Sequence, residues 1–404
     1  MDLNSGYPFW VVRDGLPGTF PALDEDVACE ILVVGAGITG ALIADRLVRA
    51  GMDVCVVDRR EAGWGSTAAS TALLQYEIDV ELQDLAERVG EKDAVLAYRS
   101  CASAIAPLLR LARALRADAR PMRSLYYASH WYHASRLRRE AALRERHGFR
   151  LKVLEAEDIR KQFGFEAPVA LLTEVAAAVD PYRMTHRLLA RVVRAGGRVF
   201  DRSGMASFRT RRGGVAAQME NGVSIRCRHL VIAAGYESQR QLAQTVARNR
   251  SSYAFVTDPL PDGAQPLRDC LLWESARPYL YARSTGDGRL IVGGEDDRID
   301  IPVRRDAMVA RKAAKLQQKI GALIPRFRDV EPAFAWGGTF AETSDGLPFF
   351  GPHEQFGPRV HFAMAYGGNG ITYSMIGAGL LQARIQGRRH PCANLFSFAR
   401  LRRG

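Results

Sequence analysis

At 404 residues, with 47% hydrophobic and 25% charged residues, the chain can bury more than one core, which excludes a disordered polymer. The formal net charge is +12, yet only six of the 56 basic residues are lysines: 92, 152, 161, 312, 315 and 319. The arginines, including Arg388, Arg389, Arg400, Arg402 and Arg403, are spread and lack interleaved aromatic runs, so they read as solvated faces rather than a nucleic-acid surface. The longest apolar stretch, Ile31 to Ala44, is broken by three glycines, and no run reaches the ~18 residues of a membrane span. Residues 1–10 show no secretion signal. Cys29, Cys55, Cys101, Cys227, Cys270 and Cys392 form no CxxC pair, which points to reduced thiols, no metal cluster and a cytoplasmic protein.

In chain order, residues 1–28, with Phe9, Trp10, Pro17 and Pro21, read as an extended arm. Ile31 to Val34 is a short β-branched run, as in a buried parallel strand. Gly35-Ala-Gly37-Ile38-Thr39-Gly40 follows, then a helical pattern in which Gly40, Ile43, Ala44 and Leu47 share a face. Gly51 stops the helix, and Val54 to Val57 is a second strand ending in Asp58. The motif has a physical logic. Gly35 permits the tight turn, Gly37 a close approach to a pyrophosphate, and Gly40 contact between helix and strand. The helix N-terminus offers free N–H groups to phosphate. Asp58 lies 18 residues past Gly40, near the roughly 20 expected of an acid on a ribose. These features predict a dinucleotide site on a doubly wound, Rossmann-like α/β domain.

Arg59 leads into Gly63-Trp-Gly65-Ser66-Thr67-Ala68-Ala-Ser70, small residues and hydroxyls suited to a loop lying on a cofactor. Residues 80–117 and 135–147 read as helices and 124–129 as a strand. His130 and His133 have metal-compatible spacing only if helical and lack an evident acidic or Cys partner, so packing or surface roles are expected. A helix over 183–195 precedes short strands and the run Leu230 to Ala233-Ala234-Gly235. Strands at 253–256, 271–274, 279–283 and 290–292, separated by turn signals, predict an antiparallel sheet. A basic helix over 305–322 follows. After the strand 360–365, Gly367-Gly368-Asn369-Gly370-Ile371 opens a final helix to about 386, whose positive end suits a reduced flavin. Backbone approaches at 35–40, 63–71, 233–235 and 367–370 imply a discontinuous nucleotide domain. The expected division is 1–84, 178–247 and 335–404 for the cofactor, and 85–177 and 248–334 for the substrate.

Together GAGITG with Asp58, GWGSTAAS, VIAAG, PYLYARSTGDGRLIVGGED, Asp345-Gly-Leu-Pro-Phe-Phe-Gly and AYGGNGI resemble the D-amino-acid oxidase-like (glycine and sarcosine oxidase) superfamily of FAD enzymes. The match spans nearly everything after residue 28 and looks closest to the amine-oxidising branch, such as γ-glutamylputrescine oxidase. The resemblance implies a doubly wound FAD domain and an antiparallel-sheet substrate domain. It also implies hydride transfer from a small amine to flavin N5, followed by imine hydrolysis, with dioxygen or another acceptor taking the electrons. Several positions depart from the family. Phe340 and Gly368 stand where relatives place carboxylate-binding arginines, and Ile291 where sarcosine oxidase has a lysine. No cysteine lies between Thr339 and Gly346, so non-covalent FAD is expected. The expected substrate wall is aromatic: Phe340, Tyr366, Tyr279, Tyr281 and Tyr253, with Glu77 for a distal ammonium. Arg277 or Arg283 could serve a carboxylate, which keeps oxidation of glycine, sarcosine or D-amino acids as the alternative. An NAD-dependent dehydrogenase, a flavoprotein acting on a modified tRNA base, and a flavin-binding module without turnover are the remaining rivals.

Overall fold

The structure is a computed structural model describing residues 2–402; Arg403 lies outside the described residues. Internal contacts divide the chain into two compact units. One comprises Met1–Arg13, Ala69–Asp180 and Asn249–Phe340, the other Asp14–Ala68, Pro181–Arg248 and Ala341–Gly404.

The second unit is built on parallel strands. Val27–Val34 pairs in parallel with Val54–Val57 on one side and with Ser224–Ile232 on the other. Arg198–Phe200 extends the first side, Val360–Met364 the second, and Phe349–Pro352 closes that edge antiparallel. The chain thus winds one way from Val27–Val34 and later the other, and the order reverses between Val27–Val34 and Ser224–Ile232. Such a switch point leaves a crevice outside the strands' C-terminal ends, where ligands of open α/β sheets bind. Ile31, Leu32, Val33 and Val54 to Val57 are fully buried, as strands covered on both faces must be. Helices Pro181–Arg194, Ile38–Val48 and Gly370–Ile385 pack in that order along one another. A separate apolar cluster contains Leu32, Cys55, Leu230, Ile232, Val360 and Phe362.

The first unit is organised on a ten-stranded sheet. Arg248–Val256, Leu290–Asp297, Leu280–Ser284 and Cys270–Glu274 are successive antiparallel neighbours, as expected from their alternating runs and turns. Cys270–Glu274 then pairs in parallel with Arg120–Tyr127, which the reading of the sequence did not foresee. Helix Pro302–Leu323 covers one face through Leu316 and Ile320 against Phe255, Leu272, Leu290 and Val292. Helix Ala134–Arg146 packs through Leu137 and Ala141 on the opposite face, beside the stacked rings of Tyr126 and Trp273 (3.8 Å).

Two expectations are corrected here. The leader is no arm lying on the surface: Asn4–Gly6 pairs with Trp336–Gly338 as an edge strand, and Phe9–Asp14 is a helix with Phe9 and Trp10 buried. Large aromatic rings at those positions gain too much from burial to remain on an extended arm. The helix expected over 80–117 is two, Leu82–Val89 and Glu91–Ala114, because Gly90 takes φ +87° between them. Among the described residues, Glu91–Ala114 is the one helix long and apolar enough to cross a bilayer by length and composition. Its Ala94, Tyr98, Cys101, Ile105 and Leu108 are buried in the protein, as in a core helix.

Candidate active site

The first glycine turn lies at the switch point. The Ala233 N–H donates to the Val34 carbonyl (2.8 Å), which sets the two strand ends side by side. Gly35 has φ +118°, and a Cβ there would stand 2.3 Å from the Ala233 oxygen. At Gly40 the Cβ would stand 1.8 Å from the Gly35 oxygen. Gly37 differs. Its φ of −78° suits any residue, and a Cβ would meet only Thr67 Oγ1, at 3.1 Å, among the described residues. The fold itself demands Gly35 and Gly40. Gly37 keeps open a space that the protein does not fill.

Around this turn the loop Gly63–Ala68 is tied down. Gly63 N–H donates to the Ala36 oxygen (3.0 Å), and Ile38 N–H donates to Thr67 Oγ1 (3.0 Å). Thr67 therefore caps the helix, and Ala68 N–H closes back on Gly63 and Gly65. Ser66 Oγ is buried and, among the described residues, has no hydrogen-bond partner. Asp58 receives the Ala36 N–H on Oδ2 (2.7 Å) and the Arg60 N–H on Oδ1 (2.9 Å). Burial pushes its pKa up while those bonds and the Arg60 charge pull back, and the balance remains upward. Arg59 turns to Glu237 (3.5 Å), as does Arg60 (2.8 Å). Burial alone would raise the pKa of Glu237, but the Arg60 hydrogen bond and charge hold it below the usual range. Nothing local in the sequence marked Glu237, which sits just after Ala234 and Gly235. Its N–H donates to the Ala234 oxygen (3.2 Å).

The glycine-rich segment before the last helix adds a second helix N-terminus. Gly367, at φ +86°, donates its N–H to the Ala341 oxygen (2.9 Å), and Gly368 is exposed. Asn369 and Ile371 are buried, and a Cβ on Gly370 would stand 3.0 Å from the Ala365 oxygen. Ser374 Oγ donates to the Gly370 oxygen (2.7 Å) and meets Thr39 Oγ1 at 2.8 Å. Further along, Arg46 bonds Gln382 (2.7 Å), so the two helices run parallel and begin together. Each N-terminus carries about half a positive charge, and here the two add.

On the ten-stranded sheet, alternation sorts the expected aromatic residues. Tyr253 lies on the face of helix Pro302–Leu323, bonded to Asp297 (2.8 Å), with Lys312 Nζ 5.1 Å from its ring centroid. A Cβ on Gly337 would touch Tyr253 and Arg305, so Gly337 shares that face. Trp336, Gly338 and Phe340 therefore line the other one. Tyr281 shares it, its ring lying over Gly293, where a Cβ would stand 2.4 Å away. Burial pushes the Tyr281 hydroxyl up to about 12, with Asp296 adding to the shift. Tyr279 bonds the Asp79 oxygen (3.3 Å) and carries the Arg277 guanidinium 3.4 Å from its ring centroid.

Three other expected residues are engaged within their own units. Tyr366 lies in the core of the parallel-sheet unit, its hydroxyl donating to the Gly235 oxygen (3.0 Å). Glu77 is fully buried, accepting the Thr173 hydroxyl (2.9 Å) beside Arg144 (3.8 Å), which itself holds Glu140 (2.7 Å). It belongs to an internal charge network. Arg283 is buried, donating to the oxygens of Thr71 (2.7 Å) and Val179 (3.1 Å). Burial draws its pKa down to about 9, so it stays charged at neutral pH. His130 and His133 have ring centroids 5.3 Å apart, and His133 Nδ1 meets Ser275 Oγ at 2.6 Å. No group of three or more His, Cys, Asp or Glu stands ready for a metal among the described residues.

Comparison with known proteins identifies the frame. The family model described as FAD dependent oxidoreductase matches residues 30–384. This chain is a member of that family. Among its relatives, gamma-glutamylputrescine oxidoreductase of Escherichia coli (strain K12) is 24% identical over 394 residues, covering 91% of this chain and 86% of the relative. The solved glycine oxidase of Geobacillus kaustophilus superposes with a TM-score of 0.76 at 17% identity, covering 92% and 98% of the two chains. L-proline dehydrogenase of P. horikoshii does so at 0.77 and 16%, covering 95% and 99%. The cofactor of the oxidoreductase is FAD, and the residues present fit it. The space at Gly37, the unpartnered buried Ser66 hydroxyl, the paired helix N-termini and the held Asp58 carboxylate match a long, doubly anionic dinucleotide.

Proposed function

We propose that the oxidoreductase oxidises the C–N bond of a small primary or secondary amine. In this reading the parallel-sheet unit holds FAD non-covalently, and the face carrying Phe340, Tyr281 and Tyr279 holds the substrate. Gly35, Gly37 and Gly40 with the N–H groups of Ile38 and Thr39 take the pyrophosphate, Asp58 the ribose, and Ser66 to Ser70 and Gly367 to Ile371 the remainder. FAD, when bound, accepts the hydride of the donor C–H, and water hydrolyses the resulting imine. The protein holds the amine neutral and dry so that its lone pair can assist.

The single observation carrying the amine assignment is the state of the arginines. Phe340 offers no cation, and Arg283 already serves backbone carbonyls. A substrate carboxylate beside Phe340 and Tyr281 would find no partner in either arginine position, at a cost an amine does not meet. The E. coli relative's name supports the same choice. Arg277, stacked on Tyr279, favours one alternative, an amino-acid donor. The test is an anaerobic screen of flavin bleaching. Primary and secondary amines should reduce the flavin faster than glycine, sarcosine or D-alanine. Rapid reduction by any of those three with the amines inert overturns the proposal, and loss of that activity in Arg277→Ala then identifies Arg277 as the carboxylate partner.

A further inference from the structure

Three consecutive backbone carbonyls, those of Ala69, Ser70 and Thr71, are each held by an indole or guanidinium N–H from a different part of the chain. Trp336 Nε1 donates to the Ala69 oxygen (2.8 Å), Trp10 Nε1 to the Ser70 oxygen (2.6 Å), and Arg283 Nε to the Thr71 oxygen (2.7 Å). The donors brace one another. The Arg283 guanidinium lies 5.3 Å and that of Arg13 4.9 Å from the Trp10 ring centroid, and Phe9 packs at 5.0 Å. Trp10 and Trp336 are essentially inaccessible to solvent. Both elements are further linked, because Asn4–Gly6 pairs with Trp336–Gly338. Generic packing would bury these rings without directing their N–H groups at successive carbonyls.

We propose that Trp10, Trp336 and Arg283 are positioning residues for the cofactor loop. They act through the carbonyls of 69–71, at the end of the Ser66 to Ser70 loop that the proposed function sets against FAD. The leader, which carries Trp10, thereby takes part in cofactor binding through the Ser70 carbonyl. This inference rests on the assignment of Ser66 to Ser70 to FAD. An indole N–H gives a fixed donor on a rigid plane, so it sets the carbonyl's direction as well as its distance.

The test uses the full chain, stripped of FAD and titrated with FAD. Flavin fluorescence gives the Kd, and the visible band and the reduction potential report the flavin's surroundings. Trp10→Phe and Trp336→Phe keep an aromatic ring and remove one donor. Each should raise the FAD Kd about threefold to tenfold, the range of one net hydrogen bond, and shift the flavin band. Arg283→Met should do the same, while Arg283→Lys, which retains a donor, recovers part of the affinity. An apoprotein whose melting temperature falls while Kd, band and potential stay unchanged overturns the inference. Gly37→Val separates the two levels. If Gly37→Val loses FAD and the tryptophan variants bind it normally, the positioning role alone is wrong. If Gly37→Val binds FAD normally, the cofactor site itself is misassigned, and the inference falls with it.

Discussion

Gly37→Val is the sharpest perturbation of the cofactor site, because its cost to the fold and its cost to FAD are separable. The backbone at Gly37, φ −78° and ψ −178°, is extended and accepts valine without strain. A Cβ meets Thr67 Oγ1 at 3.1 Å, so Thr67 must give by a few tenths of an ångström and loosen its bond to Ile38 N–H. Loss of that cap costs about 1 kcal/mol, which lowers the apoprotein's melting temperature by no more than about 2–4 °C. For FAD the same branched side chain fills the space beside the first helical N–H groups. Losing two charge-assisted bonds, each worth about 1.5–3 kcal/mol, raises Kd by a factor of roughly a hundred or more. Fluorescence titration of the apoprotein, paired with a circular-dichroism melt, measures both quantities. Gly40→Ala is the contrast: its Cβ would stand 1.8 Å from the Gly35 oxygen, and only movement of the backbone relieves that, so folding itself should suffer. A Gly37→Val protein that purifies with full flavin content refutes the reasoning.

Asp58→Ala removes the acceptor of the Ala36 and Arg60 N–H groups and the proposed ribose partner, and should weaken FAD by about 1.5–3 kcal/mol, read as a tenfold to hundredfold rise in Kd. His361 gives a pH prediction. Burial, with His229 and Arg384 beside it, holds its pKa down at about 3 against an ordinary value of 6.5. Between those values the unfolded chain binds a proton that the folded protein does not, so stability falls as pH drops through that window. The slope contributed is at most about 1.4 kcal/mol per pH unit, and denaturant melts at successive pH values should show it diminished in His361→Gln. An unchanged slope in that variant refutes the assignment.

The dinucleotide half was legible because its signal is local. Gly35, Gly37, Gly40 and Asp58 stand at spacings that one strand–turn–helix–strand unit dictates, and Gly367 to Gly370 announces the start of a helix. What escaped depends on long-range pairing. Tyr253 was assigned to the substrate wall, but Tyr253, Ala254, Phe255 and Val256 are all buried, so no alternation told which face was which. Glu77 looked available because its partner Thr173 lies 96 residues on, and Arg144, though nearer, is also far beyond the reach of a helix turn. Trp10 belonged to a stretch with no periodicity, and its carbonyl partner is 60 residues away. Arg283 shares a strand face with Tyr281, yet its role is set by Thr71 and Val179, which no pattern around residue 283 reveals.

The assembly of the parallel sheet from three separate stretches of chain has a consequence for how the protein comes off the ribosome. Strand Val27–Val34 emerges early, but its neighbour Ser224–Ile232 belongs to a later segment, and Val360–Met364 to a later one still. At about 5–20 residues per second, the first strand waits roughly 10–40 s for its neighbour. During that interval an apolar edge stands open to strands of other chains. Gly35 meanwhile turns toward an Ala233 not yet made. One side of the first strand is therefore unpaired until translation has passed both switch-point strands, and the Gly35 turn cannot take up its native contact before then.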